Sequence, residues 1–127
     1  MNLNNATLIN QAKKQAESLC RGKWKYNASD FNSKASVNCM QLERGEISLS
    51  MEDLEETTLI LRNGNIKLFS SKTTASTPPL NIFIDGGKLI LKTDGSHRQN
   101  FDDKGFPVGN GSGVASGVLI NGNLIIN

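Results

Sequence analysis

Ile82-Phe83-Ile84-Asp85-Gly86-Gly87-Lys88-Leu89-Ile90-Leu91 joins two apolar alternating runs through a glycine pair. The same pattern stands at Leu59-Ile60-Leu61-Arg62-Asn63-Gly64-Asn65-Ile66-Lys67-Leu68 and at Val118-Leu119-Ile120-Asn121-Gly122-Asn123-Leu124-Ile125-Ile126. Period-two alternation marks strands, and Asn-Gly or Gly-Gly between such runs is a hairpin signal. The expected turns are therefore Asn63-Gly64, Gly86-Gly87 and Asn121-Gly122. In the first unit Leu61 would face Ile66 and Leu59 would face Leu68, giving one aliphatic face. In the second, Ile84 would face Leu89 and Phe83 would face Ile90. Both faces are then apolar, which predicts a central unit covered on both sides. The third unit is one residue shorter around its turn.

Two architectures accommodate these units. One is an α+β fold, an N-terminal helix packed on an antiparallel sheet of short hairpins. The other is mainly β and solenoid-like, each glycine marking a corner between stacked short strands. The spacings from Gly64 to Gly86 to Gly122 are unequal, and on that ground the antiparallel sheet is the expectation.

Upstream, residues 4–20 read as a helix capped by Asn4 or Asn5. Ala6, Ile9, Ala12, Ala16 and Leu19 recur at spacings of three and four along one face. Gly22 suits its C-terminal stop. A turn-rich segment follows, in which Trp24, Tyr26 and Phe31 are the expected anchors into the core. Ser36 to Leu42 is a strand carrying Cys39. Glu46 to Met51 alternates strictly, with Ile47, Leu49 and Met51 inward. Glu52 to Glu56 is an acidic connector with room for one helical turn capped by Ser50. The β region thus runs over about residues 36–127, within a single domain of 127 residues.

The hydrophobic fraction of 37% and aromatic fraction of 6% are low for an intracellular enzyme. Asn, Ser, Thr and Gly are abundant, which suits an extracytoplasmic, β-rich surface protein. The net charge of +2 neither demands nor excludes a polyanionic partner. No run is long and apolar enough to span a membrane. Cys20 and Cys39 form an even pair and are expected to be disulfide-bonded, closing a loop worth roughly 3 kcal/mol. Two cysteines and one histidine cannot build a classical zinc site.

Candidate chemistry is sparse, and neither an enzyme nor a cofactor is expected. His97, the only histidine, stands in a polar stretch without the strand-to-helix elbow of a nucleophile–base pair. Asp94, Asp102 and Asp103 are oxygen ligands of the kind Ca²⁺ takes, but their spacing is not that of an EF-hand. Lys23, Trp24, Lys25 and Tyr26 interleave cations with aromatics, the composition that single-stranded nucleic acid binding uses. A core anchor flanked by solvated lysines accounts for the same residues. Residues 93–116, polar and glycine-rich, form a long connector of the length that subunit or ligand contact uses.

An amphipathic helix, a loop and then a sheet of short strands resembles the soluble domain of type IV pilins and type II secretion pseudopilins. Asn100-Phe101-Asp102-Asp103-Lys104-Gly105-Phe106-Pro107 is similar to a Phe-Asp-x-x-Gly segment of minor pilins of the GspH/FimT type. The resemblance implies a non-enzymatic structural subunit of a bacterial surface filament or secretion pseudopilus, without its membrane segment. Its helix would pack against homologous subunits. The alternative is an extracellular adhesion or ligand-binding β domain of a cell envelope or phage. A DNA-binding minor pilin, with Lys23, Trp24, Lys25 and Tyr26 as the contacts, is the third reading.

Overall fold

The structure, a computed structural model, describes residues 5–43, 45–69, 81–92 and 117–126. Among the described residues, one α-helix, α1 (Asn5–Cys20), precedes six strands: β1 (Val37–Met40), β2 (Glu46–Ser50), β3 (Thr58–Arg62), β4 (Asn65–Phe69), β5 (Asn81–Lys92) and β6 (Gly117–Ile126). Short 3₁₀ turns lie at Ala28–Asp30 and Met51–Leu54. In the latter, the Ser50 amide donates to Asp53 Oδ2 at 2.9 Å, so an acidic side chain closes the turn at its start.

Every strand pairing is parallel. The antiparallel hairpin sheet expected from the turn dipeptides is therefore not what forms. β1, β3 and the first half of β5 pair in order, and β2, β4 and the second half of β5 do the same. β6 pairs with β5 along both halves. The sheet curls into four stacked coils among the described residues, which is the solenoid-like alternative.

The hydrogen bonds at the corners give the reason. A hairpin turning at Asn63-Gly64 would return the Asn65 amide to the Arg62 carbonyl. Instead the Asn65 amide donates to the Gly45 carbonyl of the previous coil at 3.3 Å. Asn63 donates to the Asp85 carbonyl at 2.8 Å, and Lys88 donates to the Gly64 carbonyl at 3.0 Å. Asn63 and Gly64 do adopt positive φ, 63° and 90°, yet the chain turns a corner rather than reversing. The later turn residues follow suit: Gly86-Gly87 and Asn121-Gly122 are corners too. β5 holds two residues, Gly86 and Gly87, where β6 holds Gly122 alone. That bulge accounts for the shorter third unit.

Inside the coils, columns such as Leu59–Ile82–Val118 and Leu61–Ile84–Ile120 run through the stack in register. With Met40, Leu42, Ile47, Leu49, Met51, Leu54, Ile66, Leu68, Leu89 and Leu91 they make one buried core. The inward assignments of Ile47, Leu49 and Met51 hold. Ala28 and Phe31 pack on this core.

A second apolar layer lies outside the face formed by β1, β3 and the first halves of β5 and β6. Cys39, Ile60, Phe83 and Leu119 are aligned outward and buried beneath Leu8, Ala12, Ala16 and Cys20 of α1. The helix stripe is thus rotated from the expected one. Ala12 and Ala16 face the sheet, while Ala6 is exposed, Ile9 half-buried and Leu19 39% exposed. Exact spacing of four, with two alanines at its centre, lets the helix lie close on the strands. The double cover predicted for the second unit is met at Phe83 only, since Ile90 is half-buried.

Candidate functional site

The disulfide Cys20–Cys39 is present, with its Cα atoms 5.8 Å apart. It ties the last residue of α1 to β1, and both sulfurs' residues are buried. Gly22, at φ 68°, then turns the chain away from the helix, and the Lys23 amide closes on the Cys20 carbonyl at 3.0 Å. At Lys25 the chain meets the free edge of β1. The Lys25 amide donates to the Cys39 carbonyl, and the Gln41 amide to the Lys25 carbonyl, each at 2.8 Å.

This geometry divides the cation–aromatic cluster. Trp24 is half-buried against the layer under the helix, and its ring carries the Arg62 guanidinium, 4.1 Å from centroid to Cζ. Lys23, Lys25 and Tyr26 are exposed. Tyr26, at 62%, is no core anchor, in contrast to Phe31. The Trp24–Arg62 stack has no local sequence signal, because Arg62 comes from β3, beyond the first coil.

Around Trp24 lies a small slot of about 50 Å³ lined by Lys13, Glu17, Arg62 and Asp85 among others. Lys13 Nζ is 3.7 Å from Asp85 Oδ1, and Asn121 Nδ2 donates to the same oxygen at 2.7 Å. Asp85 is thereby engaged from both the helix and the last coil. The volume admits water-sized molecules, far below the few hundred Å³ of an ordinary ligand pocket.

A second concavity of about 260 Å³ follows the corner column of Gly45, Gly64, Gly86 and Gly87, with Glu43 and Lys88 at its margin. The largest of the three, about 670 Å³, is a groove beside β1. Lys23 and Lys25 line it from the post-helix segment, Asp30 and Asn32 from the loop before β1, and Val37 to Cys39 from the strand itself. Asn38 anchors that loop. Its Nδ2 donates to the Asn32 carbonyl at 2.8 Å and to Thr57 Oγ1 at 2.9 Å, while its Oδ1 accepts from the Asn32 amide at 2.9 Å. Buried Asn38 and Thr57 are the polar members of an otherwise apolar interior among the described residues.

No three His, Cys, Asp or Glu residues cluster as metal ligands among the described residues. Asp94, Asp102, Asp103 and His97, the Phe-Asp-x-x-Gly segment, and residues 93–116 as a whole lie outside the described residues. No described helix is long and apolar enough to cross a membrane. The chain matches no protein-family model, no curated protein and no solved structure.

Proposed function

We propose that this chain is a non-enzymatic, extracytoplasmic surface domain that binds a partner on the exposed parts of its solenoid. The observation that carries the reading is the stapled architecture. A parallel coil stack is held to its covering helix by Cys20–Cys39, a bond that persists in oxidising compartments. The remaining surface offers a groove of ligand size beside β1. The aliphatic interior supplies rigidity, and loops with polar side chains supply the contacts.

Labelling of intact cells of the source with an antibody to the folded chain tests this reading. Signal without permeabilisation is expected. Signal only after permeabilisation, with both cysteines alkylated when the extract is denatured without reductant, would overturn it.

A filament subunit is the second reading, favoured by a helix that lies along the sheet and presents its other side outward. That side is polar, with Asn10, Gln11, Lys14, Gln15 and Ser18 exposed, so helix-to-helix contacts would have to be polar. The genomic sequence upstream of Met1 decides it. About 20 apolar residues behind a Gly-Phe-Thr-Leu-x-Glu junction would establish a pilin, and an ordinary start would remove the reading.

A further inference from the structure

In a parallel pairing, alternate residues of a strand direct both backbone groups to the same edge. The Ser36 carbonyl accepts from the Thr58 amide on the β3 side at 3.0 Å, and the Cys39 carbonyl accepts from Lys25 on the other. Residues 37, 39 and 41 therefore address the free edge. Lys25 uses the Cys39 carbonyl and the Gln41 amide. Because Gly22 turns the chain and Lys23 bonds back to Cys20, nothing described continues that pairing to Val37. The Val37 amide and carbonyl and the Cys39 amide have no backbone partner among the described residues, and Val37 to Cys39 line the groove of about 670 Å³.

We propose that this groove binds an extended peptide segment carrying acidic side chains, added as a strand along Val37–Cys39. Unpaired edge groups supply the affinity in such strand addition, and flanking side chains supply the specificity. Lys23 and Lys25, both exposed and both lining the groove, outnumber its one acid, Asp30. The charge complement is thus a carboxylate on the incoming strand. The strand lies between two segments already held in place, by the disulfide on one side and by the Asn38–Asn32 bonds on the other. Little ordering of the protein is needed on binding. The proposal deepens the surface-domain reading and rests on it for biological sense, but its test is independent of where the protein resides.

Two neutral-ended probes, an alternating Val-Glu peptide and an alternating Val-Lys peptide, are titrated into the full chain and followed by amide NMR. The Val37 and Cys39 amides should shift downfield with the Val-Glu probe. Affinity for the Val-Lys probe should be about tenfold weaker. The double variant Lys23→Glu, Lys25→Glu should reverse that preference while its unbound spectrum stays folded. N-methylation of the probe at alternate residues should abolish binding in one register and spare it in the other. Shifts confined to other residues, indifference to charge reversal, or indifference to N-methylation would each overturn the proposal. So would concentration-dependent pairing of the chain with itself through the same amides, because the occupant would then be a second copy. Surface labelling with no peptide binding sinks the groove alone. Peptide binding by a protein confined to the cytosol sinks the surface reading alone.

Discussion

The guanidinium of Arg62 stacks on the ring of Trp24, with Cζ 4.1 Å from the ring centroid. Arg62 ends β3, whereas Trp24 belongs to the segment that follows the helix, so the contact joins two parts of the chain. With Arg62 half-buried, such a pair is worth about 0.5–2 kcal/mol. A double-mutant cycle of Arg62→Met and Trp24→Leu, read by denaturant unfolding, should return a coupling of that size. Strict additivity would show that the ring and the cation act independently.

The corner glycines make a sharper prediction. A Cβ on Gly87 would overlap the Gly64 carbonyl oxygen, and one on Gly122 the Gly87 carbonyl oxygen. Backbone cannot yield as a flexible side chain can. Gly87→Ala and Gly122→Ala should each destabilise by about 1–3 kcal/mol. At Gly45 the nearest atom is the Leu42 Cβ at 3.5 Å, an ordinary contact, so Gly45→Ala should be nearly neutral. Equal effects at all three positions in thermal unfolding would contradict the stacked corners.

Removing the disulfide should loosen the helix from the coils. With a sequence separation of 19, Cys20→Ser, Cys39→Ser is expected to lose about 3 kcal/mol. Both residues are buried, so iodoacetamide should label the reduced protein fully only in denaturant. Rapid labelling of the reduced, folded chain would place the thiols elsewhere.

Asn38 reports on the loop that walls the β1 groove. Asn38→Ala removes three hydrogen bonds and leaves the Thr57 hydroxyl and the Asn32 backbone to find other partners. A loss of about 1–3 kcal/mol is expected. Thr57→Val should cost less, since it removes one bond. Hydrogen exchange should quicken at the Asn32 amide in the first variant and not in the second. The opposite ranking would show that Thr57, not Asn32, is the bond that matters.

How far the fold could be read from the sequence depends on which interactions are local. Leu59, Leu61, Ile66 and Leu68 share the inner face whether the chain reverses at Asn63-Gly64 or turns a corner there. The positive φ required at both residues is also common to the two. Only the destination of the Asn65 amide separates them, and that lies in the previous coil at Gly45. Alternation therefore locates the strands and their buried sides but says nothing of direction. One local clue existed. The missing residue beside Gly122 is natural for stacked coils with a bulge between Asp85 and Lys88. The helix was legible in extent but rotated, because Ile9 and Leu19 are more apolar than the positions that face the sheet, Leu8 excepted. The disulfide followed from an even cysteine count in a polar chain. At the groove, Lys23 and Lys25 stood out in the sequence, whereas the open edge beside them is a product of topology.

The helix also measures the stack. Leu8, Ala12, Ala16 and Cys20 place one buried residue on each successive turn of α1, and Cys39, Ile60, Phe83 and Leu119 place one on each coil. Four residues of helix rise about 6 Å, close to the roughly 4.8 Å between neighbouring coils. Open solenoids gain or lose repeats freely, since each repeat touches only its neighbours. Here an inserted or deleted coil would leave an outward Ile60- or Phe83-like side chain without a helical turn above it, or a turn without a coil. Among the described coils, helix length and coil number are matched, and Cys20–Cys39 joins the two series at one end.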